Sequence, residues 1–325
     1  MNGKAWAAQH MFASWPDDPA AGLRHWLTGL VPGKPWTGGE LTLVPLTLAG
    51  ASGPRDVLLP EAIAEGELEL VEQGRGVVQQ VLARNRGARD VLVLEGDTLV
   101  GCRQNRMVAW TVLVAARSAA PVSVGCMERG RWSTGGRHFA AGEMTVDPHV
   151  RRRTKRETSA TAASLGGPHL DQGRAWSDID GKLEEWSLFS ASADYHSGLT
   201  SRAESSRRRV QELQPVPGQV GAIALYDDRL LGLEVVGHPD TWRALAGRVL
   251  PSYVLGAESA RRDPEFHRVP ALPDASAWLA ALARSPVEQR RAAGKGIDLV
   301  LRGDAVSGSC LWEGDAVRHM AVFAR

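Results

Sequence analysis

The stretch Glu67-Leu68-Glu69-Leu70, followed by Gln73-Gly74-Arg75-Gly76 and then Val77 to Arg84, decides how the fold is read. Charged and apolar residues alternate through the first four positions, the period of a half-buried strand. The glycines supply a turn and the run after them returns as a second strand, so the segment is a hairpin. Outward from it, Val91 to Leu94 and Met107 to Ala115 are apolar on both faces, which suits central strands of a two-layer β structure. Val108, Thr111, Val112 and Val114 are β-branched and no helix cap precedes them, so strand outweighs helix there.

Residues 1–39 hold four tryptophans among Pro and Gly, with one short helix expected near Asp18 to Leu30, and read as an arm. Residues 40–135 read as an all-β, sandwich-like domain. Residues 136–175 lose the pattern, and Arg151-Arg152-Arg153-Thr154-Lys155-Arg156 followed by Ser, Thr, Ala and Gly reads as a basic loop or linker. In residues 176–325, Trp176, Ile179, Leu183 and Trp186 mark a helix, and Ser201-x-x-Glu204 resembles a capping box opening a second. Val220 to Tyr226 and Leu230 to Val236 flank Asp227-Asp228 as a hairpin. Asp240 is placed to cap a helix that Pro251 should bend or end. Ser285-Pro286-Val287-Glu288 has the form of a helix start, and Ile297 to Arg302, Ser309 to Trp312 and Val317 to Phe323 are closing strands. The fold class is α+β: a β-rich half packed on an antiparallel sheet with helices.

Composition narrows the function. The 325 residues carry 38 Lys and Arg against 37 Asp and Glu, a formal charge of +1, so no global field draws nucleic acid or anionic lipid. Lysine stands only at 4, 34, 155, 182 and 295, which leaves the positive charge almost wholly to arginine, the side chain that grips phosphate with a planar fork. Cys102, Cys126 and Cys310 are odd in number and far apart, which predicts free thiols, no structural zinc and a cytoplasmic setting. No run of about 18 apolar residues is present, so no membrane span is expected. Walker, GxGxxG, GxSxG and HExxH patterns are absent, and no cofactor or metal is expected.

Two places stand out chemically. A two-residue turn at Gln104-Asn105 would set Arg103 opposite Arg106, and like charges so placed need an anion, solvent or a carboxylate such as Glu95, Asp97 or Glu128 between them. Gly130, Arg131 and Trp132 nearby offer a tight turn, a guanidinium and an aromatic face. In the Asp227-Asp228 hairpin, counting sets Tyr226 against Arg229, Leu225 against Leu230, Ile223 against Gly232 and Gly221 against Glu234. Glu234 then lies on an apolar face, where it either bonds to arginine or backbone as a strut or rises in pKa as a general acid. His319 alternates with Val317, Ala321 and Phe323 and reads as a satisfied core histidine.

Asn85, Gly96-Asp97-x-Leu99-x-Gly101-x-x-Gln104-Asn105-Arg106, Cys126-x-Glu128-x-Gly130-Arg131-Trp132, Gln219-x-Gly221-Ala222, Gly232-x-Glu234 and Ser252-Tyr253 together resemble one family, from about Leu41 to Phe323. It is the ADP-ribosylglycohydrolase and rhodanese-phosphatase superfamily associated protein domain. The resemblance implies a gene-context link to ADP-ribose and NAD-derived metabolites, an association rather than a chemistry. The expectation is a protein that binds a phosphorylated small molecule of that kind, with its hydrolysis or transfer left open. Arg103, Gln104, Asn105, Arg106, Glu128, Arg131 and Trp132 would hold it and Glu234 would serve as acid or base. The alternative is a non-catalytic interaction module whose arginines are paired internally.

Overall fold

The computed structural model describes residues 18–50, 53–72, 79–133, 136–164 and 170–325. The first half contains α1 (Pro19–Thr28), β1 (Leu30–Pro32), β2 (Trp36–Gly38), β3 (Leu41–Leu48), β4 (Val57–Leu58), α2 (Leu59–Ala64), β5 (Leu68–Glu72) and β6 (Gln80–Asn85). It continues with β7 (Val91–Val93), β8 (Thr98–Gly101), β9 (Arg106–Val108), β10 (Val112–Val114), β11 (Ser118–Cys126) and β12 (Phe139–Ala141). The second half contains α3 (Pro148–Ser164), α4 (Gln172–Glu185), α5 (Tyr195–Val210), β13 (Gln219–Tyr226), β14 (Arg229–Val236) and α6 (Pro239–Ala260). It closes with α7 (Ala275–Ala283), β15 (Val287–Arg291), β16 (Ile297–Arg302), β17 (Val306–Glu313) and β18 (Ala316–Ala324).

The fold is α+β. The hairpin that opened the sequence reading is present as β5 against β6, Leu68 facing Asn85 and Glu72 facing Val81, while its turn lies outside the described residues. A six-stranded sheet, β12-β8-β9-β11-β6-β5, and a three-stranded one, β10-β7-β4, enclose a shared apolar core that includes Leu70, Val81, Val93, Val112 and Val122. The long apolar run is strand, but split: Ala109 to Thr111 carries the chain from one sheet to the other, so β9 and β10 belong to different layers. The segment 40–135 is not wholly β, because Pro60 at the first turn and Glu61, whose carboxylate accepts from Leu58 N at 2.9 Å, set up α2.

The large sheet runs β1-β3-β13-β14-β18-β17-β16-β15, with β2 also on β3. β3 pairs with β13 across 178 residues of sequence (Val44 with Ile223, for instance, is a direct partner pair), so the first strand of the expected β domain is built into the C-terminal sheet. Three other expectations are corrected. Ser285 to Glu288 does not start a helix; Val287–Arg291 is the edge strand β15, where Gln289 reaches Asp18 at 2.5 Å. The helix expected from Ser201 begins earlier, because Asp194 accepts from His196 N and Ser197 N and so caps α5. His238, rather than Asp240, caps α6, and Pro251 sits within that helix without ending it.

The expected basic linker is the principal correction. Asp147 accepts from His149 N at 2.9 Å, Pro148 follows it, and the chain enters α3. Arg151, Arg152, Lys155 and Thr158 of this helix are buried against β14, β17, β18 and α6. With no apolar stripe, α3 is held in the interior by ion pairs.

Candidate functional site

The arginine turn is wider than a two-residue hairpin. Leu99, not Arg103, faces Arg106, because Gly101 and Cys102 adopt left-handed φ of 119° and 47° and open a four-residue loop. Asn105 Oδ1 accepts from Gly101 N at 2.9 Å and closes it. The counter-charge is Glu72, which none of the sequence candidates named. It lies 3.5 Å from Arg103 Nε and 3.7 Å from Arg106 Nη2. Arg106 is only 2% exposed and its guanidinium also touches the Cys126 sulfur. Arg103 stacks 5.5 Å from the ring of Trp132, which is 55% exposed.

Arg131 spends its fork on the protein. Nε donates to Glu128 Oε2 at 2.8 Å, Nη1 to Cys102 O at 2.8 Å and Nη2 to Asn105 Oδ1 at 3.1 Å. Glu128 also accepts from Asn105 N at 3.2 Å and Ser192 Oγ at 2.9 Å. Burial pushes its pKa up, but the bonds from Arg131, Ser192 and Asn105 outweigh this and hold it below the ordinary carboxylate value. The turn is therefore a strut rather than an open anion cradle. Arg106→Ala is accordingly expected to lower stability by about 2–3 kcal/mol, from lost stem packing and a Glu72 left with Arg103 alone. Urea denaturation would detect this; an unchanged midpoint would return Arg106 to the list of free ligand donors.

Glu234 belongs to a second, enclosed centre. Sequence counting placed it opposite Gly221; a bulge between Ala224 and Leu225 shifts the register so that it faces Ala222. At 1% exposure it meets Arg151 through Nη1 at 2.9 Å and Nη2 at 3.0 Å, and His319 Nε2 at 2.7 Å. A carboxylate only accepts, so Nε2 carries the proton and His319 Nδ1 accepts from Thr111 at 2.9 Å. Burial keeps His319 neutral by lowering its pKa. Burial works to raise Glu234, but Arg151 and His319 win, and its pKa is held at about 2. Glu234 thus has no proton to donate near neutrality.

Around this pair the chain assembles further charges. Arg151 Nη2 also reaches Glu95 Oε1 at 3.0 Å, and Lys155 touches the other oxygen of Glu95. Lys155 donates to Ser309 Oγ at 2.8 Å, and Arg248 pairs with Asp97 at 2.8 Å. Burial draws Lys155 down toward about 7, against the pull of Asp298 and Glu234. Gly96, at φ 81°, is where Arg151 crosses the backbone: a Cβ there would lie 2.7 Å from Arg151 Nε. A cavity of about 10 Å³ beside Glu95, Arg151 and Thr154 has room for one water. No hydrogen bond or ion pair among the described residues joins this centre to Arg103, Arg106 or Arg131, so the sequence-read site divides in two.

An open arginine cleft does exist, on the other side of α3. A polar trough of about 630 Å³ runs between α3 and α4, lined by Arg153, Arg156, Arg174 and Arg325 with Asp178 and Glu265. Arg153, Ser177 and Asp178 also border an adjoining hollow of about 280 Å³ that reaches Lys182 and Arg262. Thr154 lines both the trough and the small cavity against Glu95. Helix α3 therefore presents Arg151 and Lys155 to the buried centre and Arg153 and Arg156 to the trough.

A family model described as ARPP-1, the ARG and Rhodanese-Phosphatase-superfamily-associated Protein domain, matches residues 29–323. The chain belongs to this family. No curated protein matches it, and no solved structure does. In this ARPP-1 chain the motif residues Gly96, Asp97, Gly232, Glu234 and Tyr253 gather around Arg151: Tyr253 Oη donates to Glu234 at 3.4 Å and lies 2.8 Å from where a Cβ on Gly232 would be. Sequence reasoning missed Glu95, Arg151 and Lys155 as members of the centre. The available signal was the Asp147-Pro148 helix start followed by Arg151 and Lys155 four apart on one face. Among the described residues of the ARPP-1 chain no group of three or more His, Cys, Asp or Glu is disposed to hold a metal ion. Its three cysteines are buried and free, and none of its described helices is long and apolar enough to cross a membrane.

Proposed function

We propose that this chain binds a phosphorylated small molecule of the ADP-ribose or NAD-derived class in the cytoplasm, and that the ligand occupies the trough between α3 and α4. The observation that carries this reading is the trough itself: about 630 Å³ with four arginines on its walls, within the range of roughly 300–1,000 Å³ typical of small-molecule sites. Among the described residues Arg174 makes an ion pair only with Asp171, at 3.8 Å, and it is largely solvent-exposed, so its fork can turn onto a phosphate. The family's name adds an association with ADP-ribose and phosphatase-type proteins.

Thermal unfolding of the protein with ADP-ribose, NAD, ADP, ribose 5-phosphate and inorganic phosphate tests the proposal. A ligand at 100 times its Kd should add about 2.7 kcal/mol of stability. Arg156→Ala combined with Arg174→Ala should abolish that gain, whereas Arg243→Ala, on the exposed side of α6, should keep it. The self-pairing of Arg103, Arg106 and Arg131 favours one second reading, a non-catalytic interaction module. That reading is supported if none of these compounds stabilises the chain.

A further inference from the structure

Three carboxylates line the trough, and two of them are spent: Asp178 pairs with Arg153, and Glu265 with Arg156 at 3.0 Å. Glu157 differs. It stands one turn after Arg153 on α3, half-buried in the trough wall, and makes no ion pair among the described residues. Its Oε1 accepts from the backbone N–H of Asp171, the residue that caps α4, at 2.5 Å, which fixes the carboxylate where the two helices approach. That bond fills one of about four acceptor positions on a carboxylate. Burial raises the Glu157 pKa by more than the Asp171 N–H and the Arg174 charge lower it, and the nearby Asp171 and Asp178 add to the rise. The carboxylate is thus short of donors.

The chemistry of the gap restricts what can fill it. A second phosphate oxygen there would face Glu157 with like charge, and a ligand ammonium would meet Arg153, Arg156 and Arg174. Neutral O–H donors suffer neither repulsion, and two neighbouring hydroxyls match the two oxygens of one carboxylate. We infer that Glu157 accepts hydrogen bonds from the vicinal diol of a sugar whose phosphate is held by the trough arginines, an assignment that rests on the trough being the ligand site. The ligand is then a phosphorylated sugar with free neighbouring hydroxyls, and Glu157 is the residue that selects for them.

Calorimetric titration of the full chain with ribose 5-phosphate, 2-deoxyribose 5-phosphate and inorganic phosphate isolates this contact. Ribose 5-phosphate is expected to bind about tenfold tighter than its 2-deoxy analogue, the worth of one hydrogen bond to a charged acceptor. Glu157→Ala should erase that ratio and leave the deoxy sugar bound no more weakly, since the deoxy sugar gains least from the carboxylate and is freed from its charge. Arg174→Ala should weaken both sugars alike and preserve the ratio. If Glu157→Ala does not fold, Glu157→Gln, which keeps an acceptor for the Asp171 N–H, takes its place and should at least halve the ratio. Equal affinity of the two sugars on the native chain, or a ratio that survives substitution of Glu157, overturns the inference while leaving the trough as a phosphate site. Absence of binding by all three compounds also overturns it, and the reading of the trough falls with it if ADP-ribose, NAD and ADP give no thermal stabilisation either.

Discussion

Arg151→Ala is expected to cost about 3–5 kcal/mol, the loss typical of removing one partner from a buried ion pair, out of a total stability of roughly 5–15 kcal/mol. Arg151 is the cation that Glu95 and Glu234 share, and all three side chains are buried. Without it Glu234 keeps, among the described residues, only His319 and Tyr253 as hydrogen-bond partners. The loss should be visible as a shifted denaturation midpoint with little change in slope. Adding Glu234→Gln should return part of it, because the second substitution removes the charge that the first leaves stranded. If Arg151→Ala unfolds at the wild-type midpoint, α3 is not held by this pair.

Acid should dismantle the same centre. Glu234 has an ordinary value of 4.5 and a folded value of about 2, so the unfolded chain takes up its proton first as the pH falls. The stability it contributes is therefore complete above pH 4.5 and drains away between 4.5 and about 2. A shift of that size corresponds to something on the order of 3 kcal/mol. Denaturation measured at pH 5 and at pH 3 should show a steeper fall for the native chain than for Glu234→Gln, by about one proton. Identical slopes would mean that Glu234 does not titrate with unfolding.

The β framework was legible because alternation and β-branched runs are local signals, and β5, β6, β13, β14 and β16 to β18 follow from them. The failures have physical causes. A positive φ at the non-glycine Cys102 widened the arginine turn, and no strand count anticipates a backbone bend of that kind. The bulge at Leu225 shifted the partner of Glu234 by one residue. Glu234 itself was found, because a charge on an apolar strand face is conspicuous. Its partner was not. Arg151 lies in a run that reads as solvated, and what buries it are carboxylates 56 and 83 residues away, at separations to which periodicity is blind. A helix normally announces its interior face with apolar residues; α3 does so with cations whose neutralising partners are visible only in three dimensions.

The edge strand β15 bears on how the molecule behaves in company. Val287-Glu288-Gln289-Arg290-Arg291 ends the large sheet, with Glu288 tied to Arg302, Arg290 to Asp298 at 3.0 Å and Gln289 to Asp18, the residue that caps the first helix. A second copy extending the sheet there would have to strip water from arginine and glutamate side chains before its backbone could bond. That rim is thus a poor template for strand-by-strand polymer growth, and crowding many copies together should not propagate fibrils through it.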